Sequence, residues 1–131
     1  MILNKSCENV VVIDWLKPAN TLTYFQSANA SQIIGRMIGC VINRLKADIG
    51  LNPQNINMYG HSLGAHAVGF AGKSVLNPKV RLIIGAEPAA PGFQGKSDNV
   101  KLAFTDAQSV LVMHTNGISN LSIPIVQGKI Y

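Results

Sequence analysis

The stretch Ile56-Asn57-Met58-Tyr59-Gly60-His61-Ser62-Leu63-Gly64-Ala65-His66 decides the fold. Ile56 to Tyr59 reads as a short strand ending at Gly60. A small-residue helix, about Leu63 to Lys73, follows with no room for a loop. Between them Gly60-His61-Ser62-Leu63-Gly64 fits G-x-S-x-G. That spacing has a mechanical reason: a serine nucleophile has to stand on a tight, strained strand-to-helix turn so that its hydroxyl projects clear of the sheet. Side chains at Gly60 and Gly64 are expected to collide with neighbouring backbone, which is why both are glycine. The helix behind the turn aims its free N–H groups and positive dipole end at a developing oxyanion, and the Leu63 amide is the expected donor. Ala65, Ala67, Gly69 and Ala71 keep the helix slim enough to lie close to a sheet. His66, four residues from Ser62, points along the helix rather than into a site and is read as structural.

Outward from the turn, strands and helices alternate. Asn9-Val-Val-Val-Ile-Asp14 is a β-branched run of the kind buried on both faces of a parallel sheet. From Ser31 to Ile49 the residues Ile34, Ile38, Val41, Leu45 and Ile49 recur at steps of three or four, a helix stripe stopped by Gly50 and Pro53. Val80-Arg-Leu-Ile-Ile84 and Ser109-Val-Leu-Val-Met113 read as further strands. Alternation of this kind implies right-handed crossovers and an α/β fold with a mostly parallel sheet. The pattern predicts that the strands near 10–14, 56–59, 80–84 and 109–113 are mutually parallel, with Ser62 at positive φ. With no repeat and no linker, residues 1–131 are expected to form one domain, and both ends look cut.

Composition narrows the function classes. The chain has 131 residues, 47% of them apolar, enough to bury a core, so a disordered chain is excluded. No apolar run reaches the ~18 residues a membrane-spanning helix needs. The +5 net charge is spread singly between Lys5 and Lys129, without clusters or interleaved aromatics, which reads as a solvated basic surface and not a nucleic-acid site. Cys7 and Cys40 have no metal-ligand spacing, and Cys40 is expected to be a buried free thiol. Asn-x-Ser sequons stand at Asn4, Asn29 and Asn120, where chance would supply roughly one. They hint at a secreted protein and should be exposed, although the chain shows no signal peptide.

Gly60-His-Ser-Leu-Gly-Ala-His66 resembles the nucleophile segment of the pancreatic lipase family of secreted α/β-hydrolases. Other segments agree in order and spacing: Val11-Val-Ile-Asp-Trp15, Tyr24 with Asn29, Gly85-Ala-Glu-Pro-Ala-Ala-Pro-Gly-Phe93, and Asp106-Ala followed by Val112-Met-His-Thr115. The resemblance covers essentially the whole chain but only the middle of a family lipase domain. It implies a partial α/β-hydrolase fold and hydrolysis of acylglycerol or phospholipid esters at a lipid–water interface, by a serine nucleophile and without a cofactor. It also implies an extracellular location.

A serine hydrolase needs an imidazole to accept the hydroxyl proton and a carboxylate to orient that imidazole. By resemblance Glu87 takes the place of the family's aspartate, keeping the charge but moving the carboxylate outward by about one C–C bond. Glutamate also serves as the acid in this fold class. Asp14 and Asp106 match family positions outside the triad and read as structural. His114 falls on the family's V-I-H-T strand end, upstream of the catalytic histidine, so it is set aside as the base. The family's following Gly-His is here Gly128-Lys129, and the short interval resembles short-lid, phospholipase-like members. Read this way, Ser62 and Glu87 are the catalytic residues, the base is missing, and the chain is expected to be a poor catalyst. The alternative is a catalytically impaired lipase-fold protein that binds lipid or protein, as yolk proteins resembling lipases do.

Overall fold

The computed structural model describes residues 8–15 and 23–115. Among them stand two long helices, α1 (Tyr24–Ile49) and α2 (Leu63–Ser74), and three strands, β1 (Asn57–His61), β2 (Leu82–Ala86) and β3 (Ser109–Met113). The strands form one sheet in the order β1-β2-β3, and both pairings are parallel. The three strands expected near 56–59, 80–84 and 109–113 are therefore present, two of them shifted by up to two residues toward the site.

Register follows the pleat. Met58, Ile83 and Val110 share one rung and are all buried in the main core. Gly60, Gly85 and Val112 share the next rung on that face. Helix α2 covers this face with Ala65, Val68 and Ala71, all in the same apolar cluster. The opposite face is open, with Tyr59, Leu111 and Met113 exposed.

Helix α1 starts at Tyr24, ahead of the expected Ser31. Thr23 is extended, and its hydroxyl accepts from the Gln26 N–H. The helix stops at Gly50, which supplies φ 69°. Its buried face includes Ala28, Ser31, Gly35, Gly39 and Ile42, and of the expected stripe of larger residues Ile38 packs against the main core. A Cβ on Gly35 would come within 2.3 Å of the Ala67 carbonyl oxygen, and one on Gly39 within 2.5 Å of Ser74 Cβ. The two helices thus approach so closely that only small residues fit, and Val41, Leu45 and Ile49 are left exposed.

Two expectations fail. Residues 9–14 form no strand, and Val10, Val11, Val12 and Ile13 are exposed. Their β-branched side chains suit a pleated surface, but that preference becomes a strand only when a ladder partner is present, and none of β1, β2 or β3 pairs with them. Cys40 is exposed because it follows Gly39 around the helix to the outer side.

Candidate active site

Ser62 sits between β1 and α2 at φ 55°, ψ −120°, a conformation that favours glycine. Three backbone hydrogen bonds hold it there. Its N–H donates to the Ala86 carbonyl (2.9 Å), and its own carbonyl accepts from the N–H groups of Ala65 (3.1 Å) and Ala89 (3.3 Å). The turn is thereby tied to the end of β2 and to the loop beyond it. At Gly60 a Cβ would fall 2.2 Å from the Gly64 carbonyl oxygen, so glycine is required. At Gly64 a Cβ would meet nothing within 4 Å, so the steric reason expected for that position does not hold. Leu63 opens α2, where an N–H has no partner one turn earlier in the helix. Its side chain packs beside Ala28, Phe70, Ala90 and Phe93.

Glu87 follows directly on β2 and is the second residue here forced to positive φ, at 45°. Its N–H donates to the Met113 carbonyl (2.8 Å), which fixes it against the end of β3. Its carboxylate is about one-third exposed; Oε1 accepts from the Thr115 N–H, and Oε2 lies 3.9 Å from His114 Nδ1. The Thr115 bond, with smaller help from the charges of His114 and His61, holds this carboxyl below the usual glutamate range. The His114 side chain is only 6% exposed, and its Nε2 is buried without a hydrogen-bond partner among the described residues.

His66 has the opposite surroundings. Its ring is fully buried and stacks on Phe93 at 3.7 Å. The Leu102 N–H donates to Nδ1 (3.0 Å), so Nδ1 carries no proton and Nε2–H donates to the Ala89 carbonyl (2.8 Å). Burial lowers its pKa to about 4, with Lys73 and Lys101 adding smaller repulsions. The structural reading of His66 is thus given a physical basis. It braces the loop that follows Glu87.

Asp106 is buried and bridged by Lys73 Nζ at 2.5 Å, with Oδ2 also accepting from the Ala103 N–H (2.8 Å). Sequence reasoning missed Lys73 and Phe93. The available signal was Lys73 in the last turn of a helix whose other residues are almost all small or apolar. Tyr24 donates its hydroxyl to the Pro91 carbonyl (3.0 Å), joining α1 to the same loop. Next to it lies a cleft of about 160 Å³ lined by Phe25, Asn29, Gln32, Phe70, Phe93 and Val100. Asn29 is exposed, whereas Asn4, Asn120, Cys7, Lys129 and the Gly128-Lys129 position lie outside the described residues.

A parallel three-stranded sheet with helices packed on it, a strained strand-to-helix turn at a serine and a carboxylate one strand over make this a partial α/β fold. The family model for Lipase matches residues 2–128, and the chain belongs to that family. Mouse pancreatic triacylglycerol lipase (Mus musculus) is 37% identical over 122 residues, which is 91% of this chain and 26% of that protein. Human pancreatic triacylglycerol lipase (Homo sapiens) is 38% identical over 109 residues, 83% of this chain and 23% of that protein. Rat pancreatic lipase-related protein 2 (Rattus norvegicus) is 37% identical over 118 residues, 90% of this chain and 24% of that protein. The chain therefore spans about a quarter of the length of the curated relatives it matches.

Proposed function

We propose that this chain is a lipase-type α/β-hydrolase domain, or a segment of one, whose Ser62 hydroxyl attacks carboxylic ester carbonyls of acylglycerols or phospholipids. The observation that carries the reading is the pair of residues held at positive φ, Ser62 and Glu87, at neighbouring strand ends. Non-glycine residues persist in such conformations only where the surroundings enforce them, and they cluster at active sites. Ser62 then presents its hydroxyl, the Leu63 N–H helps hold the oxyanion, and the Glu87 carboxylate orients an imidazole. The chemistry needs no cofactor. The names of the relatives support triacylglycerol among the substrates; an extracellular setting in lipid metabolism and action at a lipid–water interface follow from the family resemblance. Among the described residues no helix is long and apolar enough to cross a membrane.

The competing reading, a lipid- or protein-binding member without turnover, draws on Lys129 in the family's histidine position and on glutamate in place of aspartate. Release of fatty acid from emulsified triacylglycerol and from phosphatidylcholine vesicles separates the two. Turnover by the wild-type chain that Ser62→Ala abolishes supports the hydrolase. Vesicle binding with no Ser62-dependent turnover supports the binding module.

A further inference from the structure

We propose that Asn29 is an N-glycosylation site and that the first sugar of its glycan lies over the aromatic cleft beside α1. This goes beyond the hydrolase chemistry and rests only on the extracellular part of the reading above.

Asn29-Ala30-Ser31 is an Asn-x-Ser sequon without proline at its centre, the pattern that N-glycosylation requires. Asn29 lies near the start of α1 and is exposed, so a bulky polar substituent there displaces no packing. Ser31 has the opposite surroundings: it is fully buried, and its Oγ donates to the Ala28 carbonyl at 2.6 Å. A glycosyltransferase has to reach the hydroxyl of a sequon. The modification therefore belongs to the unfolded chain during translocation, before α1 closes on α2. Folding then hides the hydroxyl and leaves the asparagine outside.

The cleft points the same way. Asn29 lines it together with Phe25, Gln32, Phe70, Phe93 and Val100, around a volume of about 160 Å³. Phe70 and Phe93 are buried, whereas Phe25 is 65% exposed and Val100 38% exposed. Phe25 stands four residues before Asn29, one turn away on the same helix face. Its ring is edge-on to Tyr24 with centroids 5.8 Å apart, and the Tyr24 hydroxyl is tied to the Pro91 carbonyl. A Cβ on Gly92 would lie 3.8 Å from the Phe25 ring, so that ring also borders the loop after Glu87.

An exposed aromatic surface edged by the amides of Asn29 and Gln32 suits an amphipathic cover. A pyranose is one. Its C–H face complements the negative face of an aromatic ring, while its hydroxyl and acetamido groups pair with water and with amides. Covalent linkage to Asn29 keeps the sugar beside the cleft, so even a weak contact forms without the entropic cost of capturing a free ligand.

The step balances with a lipid-linked oligosaccharide diphosphate as donor. The bond between sugar C1 and the diphosphate oxygen breaks, and C1 bonds to Asn29 Nδ2. The amide gives up one proton to solvent, and the lipid diphosphate leaves. Nothing is oxidised or reduced.

The test sends the whole chain through a eukaryotic secretory pathway behind a cleavable leader and reads the mass of the Asn29 peptide from cells and medium. A glycan is expected at Asn29. It should be absent in Asn29→Gln and also in Ser31→Ala, which keeps the asparagine and gives up one hydrogen bond. With Asn4→Gln and Asn120→Gln in the background, an endoglycosidase that leaves a single N-acetylglucosamine isolates the first sugar. That sugar should raise the urea midpoint above that of the same chain carrying Asn29→Gln, and the rise should vanish in Phe25→Ala. Because Phe25 is mostly exposed, its removal leaves the core intact. Asn29 found bare while Asn4 or Asn120 carries a glycan overturns the inference and leaves the extracellular reading standing. A chain with its leader cleaved but bare at all three sequons overturns the inference and removes the sequons' support for that reading as well. A midpoint rise that persists unchanged in Phe25→Ala overturns the placement of the sugar over the cleft. None of these readouts depends on turnover, so the hydrolase reading stands or falls separately.

Discussion

Two of the three histidines near the sheet's C-terminal end, His66 and His114, sit in contrasting regions. Around His66, between α2 and the loops 88–93 and 102–107, both ring nitrogens are hydrogen-bonded, the ring is stacked, and the nearby Asp106 carboxylate is bridged by Lys73. Around His114, one nitrogen faces Glu87 at 3.9 Å, the other has no partner among the described residues, and Glu87 itself carries positive φ. The first region is satisfied and stabilises the fold. The second holds two residues at positive φ and a buried ring nitrogen without a partner among the described residues.

If that contrast is right, the largest effect on stability belongs to His66→Ala. Truncation would open a cavity beneath Phe93 and leave the Ala89 carbonyl and the Leu102 N–H unpaired. A loss of about 3–5 kcal/mol is expected from chemical denaturation. A loss below about 1 kcal/mol would break the comparison, since His66 would then brace nothing.

Acid should act on the same residue. With the native pKa of His66 lowered from 6.5 to about 4, the unfolded chain takes up a proton that the folded chain refuses. Stability should therefore decline as pH falls from about 6.5 to about 4, by about 3 kcal/mol in all, and change little from this source below that. Glu87, held below its ordinary range, adds loss at the acidic end as its carboxylate protonates. Asp106, raised by burial, works the other way, because the folded chain accepts its proton first. The difference between wild type and His66→Gln isolates the histidine, and a parallel pH profile for the two would remove it as the cause.

His114→Asn should cost far less, under about 1 kcal/mol, because the residue has no complete hydrogen bond to lose. A destabilisation comparable to that of His66→Ala would show that His114 is packed for structure.

Much of this was legible in the sequence. Strand, turn and helix around Ser62 follow from apolar runs punctuated by Gly60 and Gly64, and β2 and β3 carry the apolar runs Leu82–Ile84 and Val110–Met113. What was not legible depends on neighbours distant in the chain. The run Val10–Ile13 carries strand preference, yet pairing requires a partner that propensity does not name. On α1 the larger residues promised the buried face, but the close approach of α2 selected Gly35 and Gly39 instead. The contact between His114 and Glu87 was hidden because it depends on register across β2 and β3, which sequence spacing does not encode. Family spacing pointed away from it.

One expected effect is a gain. Ser62 occupies φ 55°, ψ −120°, a conformation glycine adopts without penalty and other residues adopt at a cost of order 1–3 kcal/mol. Its hydroxyl makes no cap hydrogen bond to α2, and its backbone N–H and carbonyl would keep their bonds to Ala86, Ala65 and Ala89 in a substituted chain. Ser62→Gly should therefore relieve strain at little structural loss. Against this stands the greater freedom glycine gives the unfolded chain, roughly 0.5–1 kcal/mol. The net expectation is a stabilisation of about 1 kcal/mol, read as a rise in denaturation midpoint with unchanged slope, together with loss of fluorophosphonate labelling. Stability and activity moving in opposite directions at one residue would mark the turn as strained for function. A Ser62→Gly chain less stable than wild type would mean that the serine side chain supports the turn, and the strain argument at this edge would fail.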